Sequence, residues 1–138
     1  MKRYETLNHT ADLGLRVFGQ TCEEVFANAA YALFDLLTDL NRVRENLSYH
    51  LLLEAADREE LLVRWLSELL FLYERPGYLF KKFSLSHLDR TSLRAVARGE
   101  AFDPSRHKIK REIKAVTYHQ VEVKQKDGQW EAKVIFDI

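Results

Sequence analysis

The chain has 138 residues, 46% hydrophobic and 30% charged, proportions that suit one soluble globular domain and exclude a disordered segment. Its 21 Lys and Arg cancel 21 Asp and Glu, which excludes nucleic-acid binding by bulk charge but not by a local basic patch. The single cysteine, Cys22, rules out an internal disulfide and a thiolate metal cluster, and no apolar run approaches the roughly 18 residues of a membrane span. Met1–Glu5 turns polar at once, without an apolar leader, so the expectation is a single domain, residues 1–138, in the cytoplasm.

Tyr4 to His9 reads as a strand, followed by a second in which Leu13, Leu15 and Val17 alternate with Gly14, Arg16 and Phe18. Thr21 opens a helix as a capping box, with Glu24 placed to reach back to the Thr21 N–H. Behind it Val25, Phe26, Ala29, Ala30, Leu33, Leu36, Leu37 and Leu40 recur at helical spacing, and Asn41 is the expected stop. Tyr49 to Ala55 forms the next strand. Asp57 and Glu60 repeat the capping logic, and Leu61, Leu62, Trp65, Leu66, Leu69, Leu70 and Tyr73 form the apolar stripe of a second helix that Pro76-Gly77 ends.

From there the period is two. Leu79 to Leu88 and Leu93 to Phe102 flank a turn at Asp89-Arg90-Thr91, and Asp103-Pro104-Ser105 breaks the second strand. Val121 and Val123 lead to Asp127-Gly128, a strong hairpin signal. The last strand carries Trp130, Ala132, Val134, Phe136 and Ile138 on one parity and Glu131, Lys133 and Asp137 on the other. Hairpin-linked strands with two amphipathic helices predict an α+β domain, the helices packed on a largely antiparallel sheet.

Asp12 and Asp137 both fall on the polar parity of their strands, and Ile138 places an α-carboxylate beside Asp137. If folding pairs the first strands with the last, three carboxylates converge. Such a set repels itself unless a cation neutralises it, and hard oxygens suit Ca²⁺, Mg²⁺ or Mn²⁺. From spacing alone the plainer reading is favoured, in which two aspartates merely solvate strand ends.

Several segments together resemble the archease family over almost the full length: His9-Thr10-Ala11-Asp12-Leu13-Gly14, Leu62 to Leu70, Ala97-Arg98-Gly99-Glu100 with Asp103-Pro104, Lys114-Ala115-Val116-Thr117-Tyr118-His119, and Phe136-Asp137-Ile138. Asn8 departs from the family pattern, which usually has Asp there. The resemblance implies a two-layer α+β sandwich and an accessory protein without independent turnover. Its partner would be an RtcB-type RNA ligase of tRNA splicing, whose GTP-dependent guanylylation and multiple turnover it promotes, with tRNA and GTP met through the ligase. It also implies a metal site at Asp12, Asp137 and the Ile138 carboxylate, with Ca²⁺ as the usual ion.

Around that site, His9 shares parity with Leu7 rather than Asp12 and reads as a hydrogen-bonding neighbour. Lys114 reads equally as a partner for carboxylate or phosphate and as a strand-edge charge. His119 shares parity with Val121 and Val123, so a partly buried ring is expected, although its motif places it near the metal tip. Arg106, His107, Lys108, Lys110 and Arg111 crowd one loop, with Arg94 and Arg98 before it. They form either a docking surface for an acidic partner or RNA phosphate, or a solvated face. Cys22 reads as packing. No phosphate-binding glycine loop and no nucleophile with its base appear. A metal-dependent hydrolase and a general chaperone or adaptor for proteins or RNA are the competing functions.

Overall fold

The Thr21 hydroxyl accepts the Glu24 N–H at 3.1 Å, the first half of the expected capping box, and starts helix α1, Cys22–Leu37. Asp57 accepts the Glu60 N–H at 2.8 Å and starts α2, Arg58–Glu74. The Glu60 carboxylate turns back one residue further than predicted, to the Ala56 N–H. In this computed structural model, residues 2–8 and 11–138 are described, the Asn8 side chain apart. None of the helices among them is long and apolar enough to cross a membrane.

The strands are β1 Tyr4–Asn8, β2 Asp12–Gly19, β3 Leu47–Glu54, β4 Tyr78–Leu88, β5 Ser92–Ala101, β6 Ala115–Lys126 and β7 Gln129–Asp137. The α+β class holds, with both helices packed on antiparallel strands. The strands divide between two sheets, one of four in the order β1-β2-β7-β6 and one of three in the order β3-β5-β4. Helix α1 packs against β2 and β7 of the first and β4 of the second, and α2 lies mainly against β6. That explains why ten of the sixteen residues of α1 are buried: a helix touching two sheets needs apolar residues around most of its girth. Trp65 is fully buried, and its indole N–H donates to the Phe26 carbonyl at 2.9 Å, joining the helices.

Helix α1 ends earlier than the leucine periodicity predicts. Thr38 caps it, its hydroxyl drawn to the Lys108 carbonyl, and Leu40–Arg42 forms a separate 3-10 turn. Leu40 is still buried, so the apolar spacing reports burial rather than helix. At the other helix, Gly77 adopts φ +104°, and its N–H closes onto the Leu72 carbonyl at 3.1 Å. Gly99 is demanded by close approach: a Cβ there would lie 1.8 Å from the Leu79 carbonyl oxygen of β4. The Asp127-Gly128 turn has positive φ at both residues, as a two-residue hairpin requires.

Cys22 is buried at the start of α1, and burial pushes its thiol up to about 11. Tyr4 of β1 donates to Asp35 of α1 at 2.6 Å, a contact that fastens the outermost strand of the four-stranded sheet to the helix.

Candidate metal centre

β2 lies between β1 and β7, and β7 lies between β2 and β6. The chain's beginning and end therefore meet in mid-sheet. The register makes Asp12 and Asp137 direct partners, and Ala115 of β6 stands on the other side of Asp137. Facing residues of an antiparallel pair share a face with Cβ atoms roughly 4.5–5.5 Å apart. Leu13, Leu15 and Val17 point into the core, so the two aspartates point outward. The polar parity read from the sequence is thus the solvent face of the sheet, at the end where β2 begins and β7 finishes.

Behind the carboxylates, the next row of this face is Gly14, Ile135 and Thr117. The Thr117 hydroxyl donates to the Ile135 carbonyl at 3.0 Å, and Ile135 is buried although it lies on the outward parity. Asp137 itself is exposed, as is Ile138 at 42%. The backbone N–H of Lys114 donates to the Asp137 carbonyl at 2.7 Å, so the exposed Lys114 enters the site through the main chain.

His119 corrects the expectation of partial burial: it is exposed. The β6–β7 register jumps between Thr117 and Glu122 while β7 advances only from Ile135 to Lys133. The extra residues loop out and carry Tyr118 and His119 away from the alternation that parity assumed. Gln120, at φ +56°, anchors this loop by accepting from the Lys133 ammonium at 2.8 Å. His9, with the hydrogen-bonding role expected of it, and Thr10 lie outside the described residues.

The donor chemistry fits a hard divalent cation: two carboxylates face one way on adjacent strands. Among the described residues no three His, Cys, Asp or Glu side chains gather to hold a metal. Among the described residues, therefore, side chains supply two donors, Asp12 and Asp137.

The loop basic residues divide differently from the expectation. Arg106 and His107 turn inward onto Glu100, which is 5% exposed at the end of β5. The Arg106 guanidinium grips both Glu100 oxygens at 2.6–3.1 Å. The His107 Nδ1 accepts the Asp103 N–H at 2.9 Å, which leaves the ring proton on Nε2 to donate to Glu100 at 2.6 Å. Burial raises the Glu100 carboxyl, but the Arg44 N–H, the His107 ring and Arg106 outweigh it and hold the group below the usual carboxylate range. The sequence signal missed here was an acid in a strand followed, after a proline turn, by adjacent Arg and His.

The architecture and the paired aspartates define a small α+β protein with an acidic, outward-facing strand-end site. Residues 4–138 match the family described as Archease protein family (MTH1598/TM1083). The chain belongs to the archease family. It is 43% identical to the archease of Methanosarcina mazei, over 99% of this chain and 97% of that one. It is 39% identical to that of Pyrococcus abyssi, over the whole of both. The solution structure of Methanobacterium thermoautotrophicum protein 1598 shares 38% identity over both full chains, with a TM-score of 0.87. A crystal structure described as an archease, possible chaperone, from Thermotoga maritima shares the fold at a TM-score of 0.61 and 19% identity.

Proposed function

We propose that this protein is an accessory activator of an RtcB-type tRNA-splicing RNA ligase, working through a divalent cation held at the Asp12–Asp137 strand end. The observation that carries the reading is the facing register of those two aspartates in a chain of the archease family. Asp12, Asp137 and the Ile138 carboxylate hold the ion, which is Ca²⁺ or another hard cation such as Mg²⁺ or Mn²⁺. A bound cation supplies open coordination positions that partner groups, water or a nucleotide phosphate complete.

The chain's own residues do the rest. Asp12 and Asp137 sit on two hydrogen-bonded strands, so their spacing is set before the ion arrives. Lys114, tied through its N–H to the Asp137 carbonyl, brings a cationic head group that can meet phosphate beside the carboxylates. The looped-out Tyr118 and His119 present exposed side chains from the neighbouring strand, suited to contact with the ligase. The protein acts in the cytoplasm and turns nothing over alone.

The test is multiple-turnover RNA ligation by an RtcB-type ligase with GTP, the protein being added in trace amounts. Repeated turnover should rise, and Asp12→Ala or Asp137→Ala should remove the increase. An unchanged ligase overturns the reading. Protection of the ligase only at stoichiometric ratio, without added turnover, assigns the protein to the chaperone class named for the Thermotoga maritima relative.

A further inference from the structure

The outward faces of the two sheets each set two cations opposite one another, but differ in what those cations reach. On the four-stranded sheet Arg16 stands opposite Lys133, yet both find partners: Arg16 reaches Glu5 at 3.5 Å and Glu131 at 3.8 Å, and the Lys133 ammonium donates to Gln120 at 2.8 Å. Lys124 reaches Glu122 at 3.6 Å and Glu131 at 3.9 Å. On the three-stranded sheet His87 reaches Asp89 at 3.0 Å and Glu100 is taken by Arg106, but Lys82, Arg94 and Arg98 meet no carboxylate among the described residues. Arg98 stands directly opposite Lys82, and Arg94 lies four residues along the same strand face. Between them comes Val96, with His50 facing it from β3, and beside Arg94 stands Leu52, 69% exposed.

Like charges facing each other across strands cost stability, so this arrangement works against the fold that carries it. Glu100, an acid on this face of β5, is already engaged by Arg106 and His107, and Glu54 lies at the far corner opposite Ser92. Among the described residues no carboxylate comes within 4.0 Å of Lys82, Arg94 or Arg98.

We infer that the outer face of the β3-β5-β4 sheet is a docking surface for an acidic protein segment, its carboxylates meeting Lys82, Arg94 and Arg98 and an aliphatic side chain meeting Leu52 and Val96. Charge complementarity selects an acidic occupant, and Arg forks favour carboxylate geometry. Leu52 on the edge strand β3 and Val96 on the central strand, diagonal neighbours beside the cations, select protein over nucleic acid. Phosphate backbone offers no aliphatic surface to cover Leu52, and the rings this face presents are the imidazoles of His50 and His87, without a Phe, Tyr or Trp platform for a base. The inference stands apart from the ligase reading and from the carboxylate site, which lies on the other sheet.

The test is an NMR titration of the full chain at low salt with a synthetic peptide of alternating Glu and Leu. Amide shifts should concentrate on β3, β4 and β5, and binding should weaken as salt is added. The double variant R94E/R98E should bind at least tenfold more weakly, as should Leu52→Ser. Arg98→Glu faces Lys82 with an opposite charge, so the fold is retained and lost binding reports the surface. Shifts elsewhere, no binding, or equal binding of a peptide of alternating Glu and Ser overturns the inference. So does an RNA duplex or oligouridylate that takes this face in preference to the peptide, or a second copy of the chain found covering it.

Discussion

Asp12 opens β2 and Asp137 closes β7, and the antiparallel register sets the two residues directly opposite each other. Two carboxylates so placed repel when no cation is present. Asp137→Asn should therefore raise stability in chelator by roughly 0.2–1 kcal/mol, read as a shift of the urea midpoint at constant slope. In excess Ca²⁺ the order should reverse. Wild type gains RT ln(1 + [L]/Kd), about 2.7 kcal/mol at a hundredfold excess over Kd, and the variant does not.

Glu100 gives the molecule an acid-sensitive fastening. Its carboxyl lies below its ordinary value in the folded protein, and the unfolded reference is about 4.3. A group with a depressed folded value contributes fully above the unfolded value and loses that contribution as pH falls through the folded one. Glu100→Gln should cost about 2–4 kcal/mol at pH 7, since it removes the negative charge that Arg106 and the His107 ring share and puts an NH₂ donor where one accepting oxygen stood. Between neutral pH and pH 3 the gap between wild type and variant should shrink, as chemical denaturation at each pH will show. A gap that stays constant would place the stabilisation elsewhere.

Gly99→Ala tests the close approach of β4 and β5. A methyl group 1.8 Å from the Leu79 oxygen cannot be absorbed by a rotamer change, so the strands have to part. The expected loss is about 3 kcal/mol, a fall of roughly 10 °C in melting temperature for a chain of this size. Thermal unfolding followed by circular dichroism checks it.

Cys22 should be nearly inert. With its thiol pushed up to about 11 by burial, thiolate at pH 8 is scarce. Reaction with a disulfide reagent should run at least about a hundredfold slower than for a free thiol. Rapid labelling of the native protein would contradict the burial assigned to it.

Much of the architecture was legible because burial and periodicity coincide. The caps at Thr21 and Asp57, the Asp127-Gly128 hairpin and the Pro76-Gly77 stop each rest on local chemistry, and each stands where that chemistry put it. Where tertiary contacts decide, the pattern misled. The Lys108 carbonyl draws Thr38 out of the helix, so α1 stops before Leu40 although Leu40 is apolar and buried. Parity along β6 fails at His119, since a loop-out leaves no trace in alternation unless its extra residues are known in advance. The partition into two sheets was not readable either, because strand order depends on which edges meet. For the site, parity placed Asp12 and Asp137 on polar faces, but only register brings them opposite each other. The inward turn of Arg106 and His107 depended on Glu100, whose burial no local pattern announces.

Calorimetric titration of the metal-free protein with Ca²⁺, repeated on Asp12→Asn and Asp137→Asn, tests the central claim most directly. The account predicts one ion per chain in the wild type and at least tenfold weaker binding in each variant. An ion bound with the same affinity by all three proteins, or no ion bound by the wild type, would contradict it.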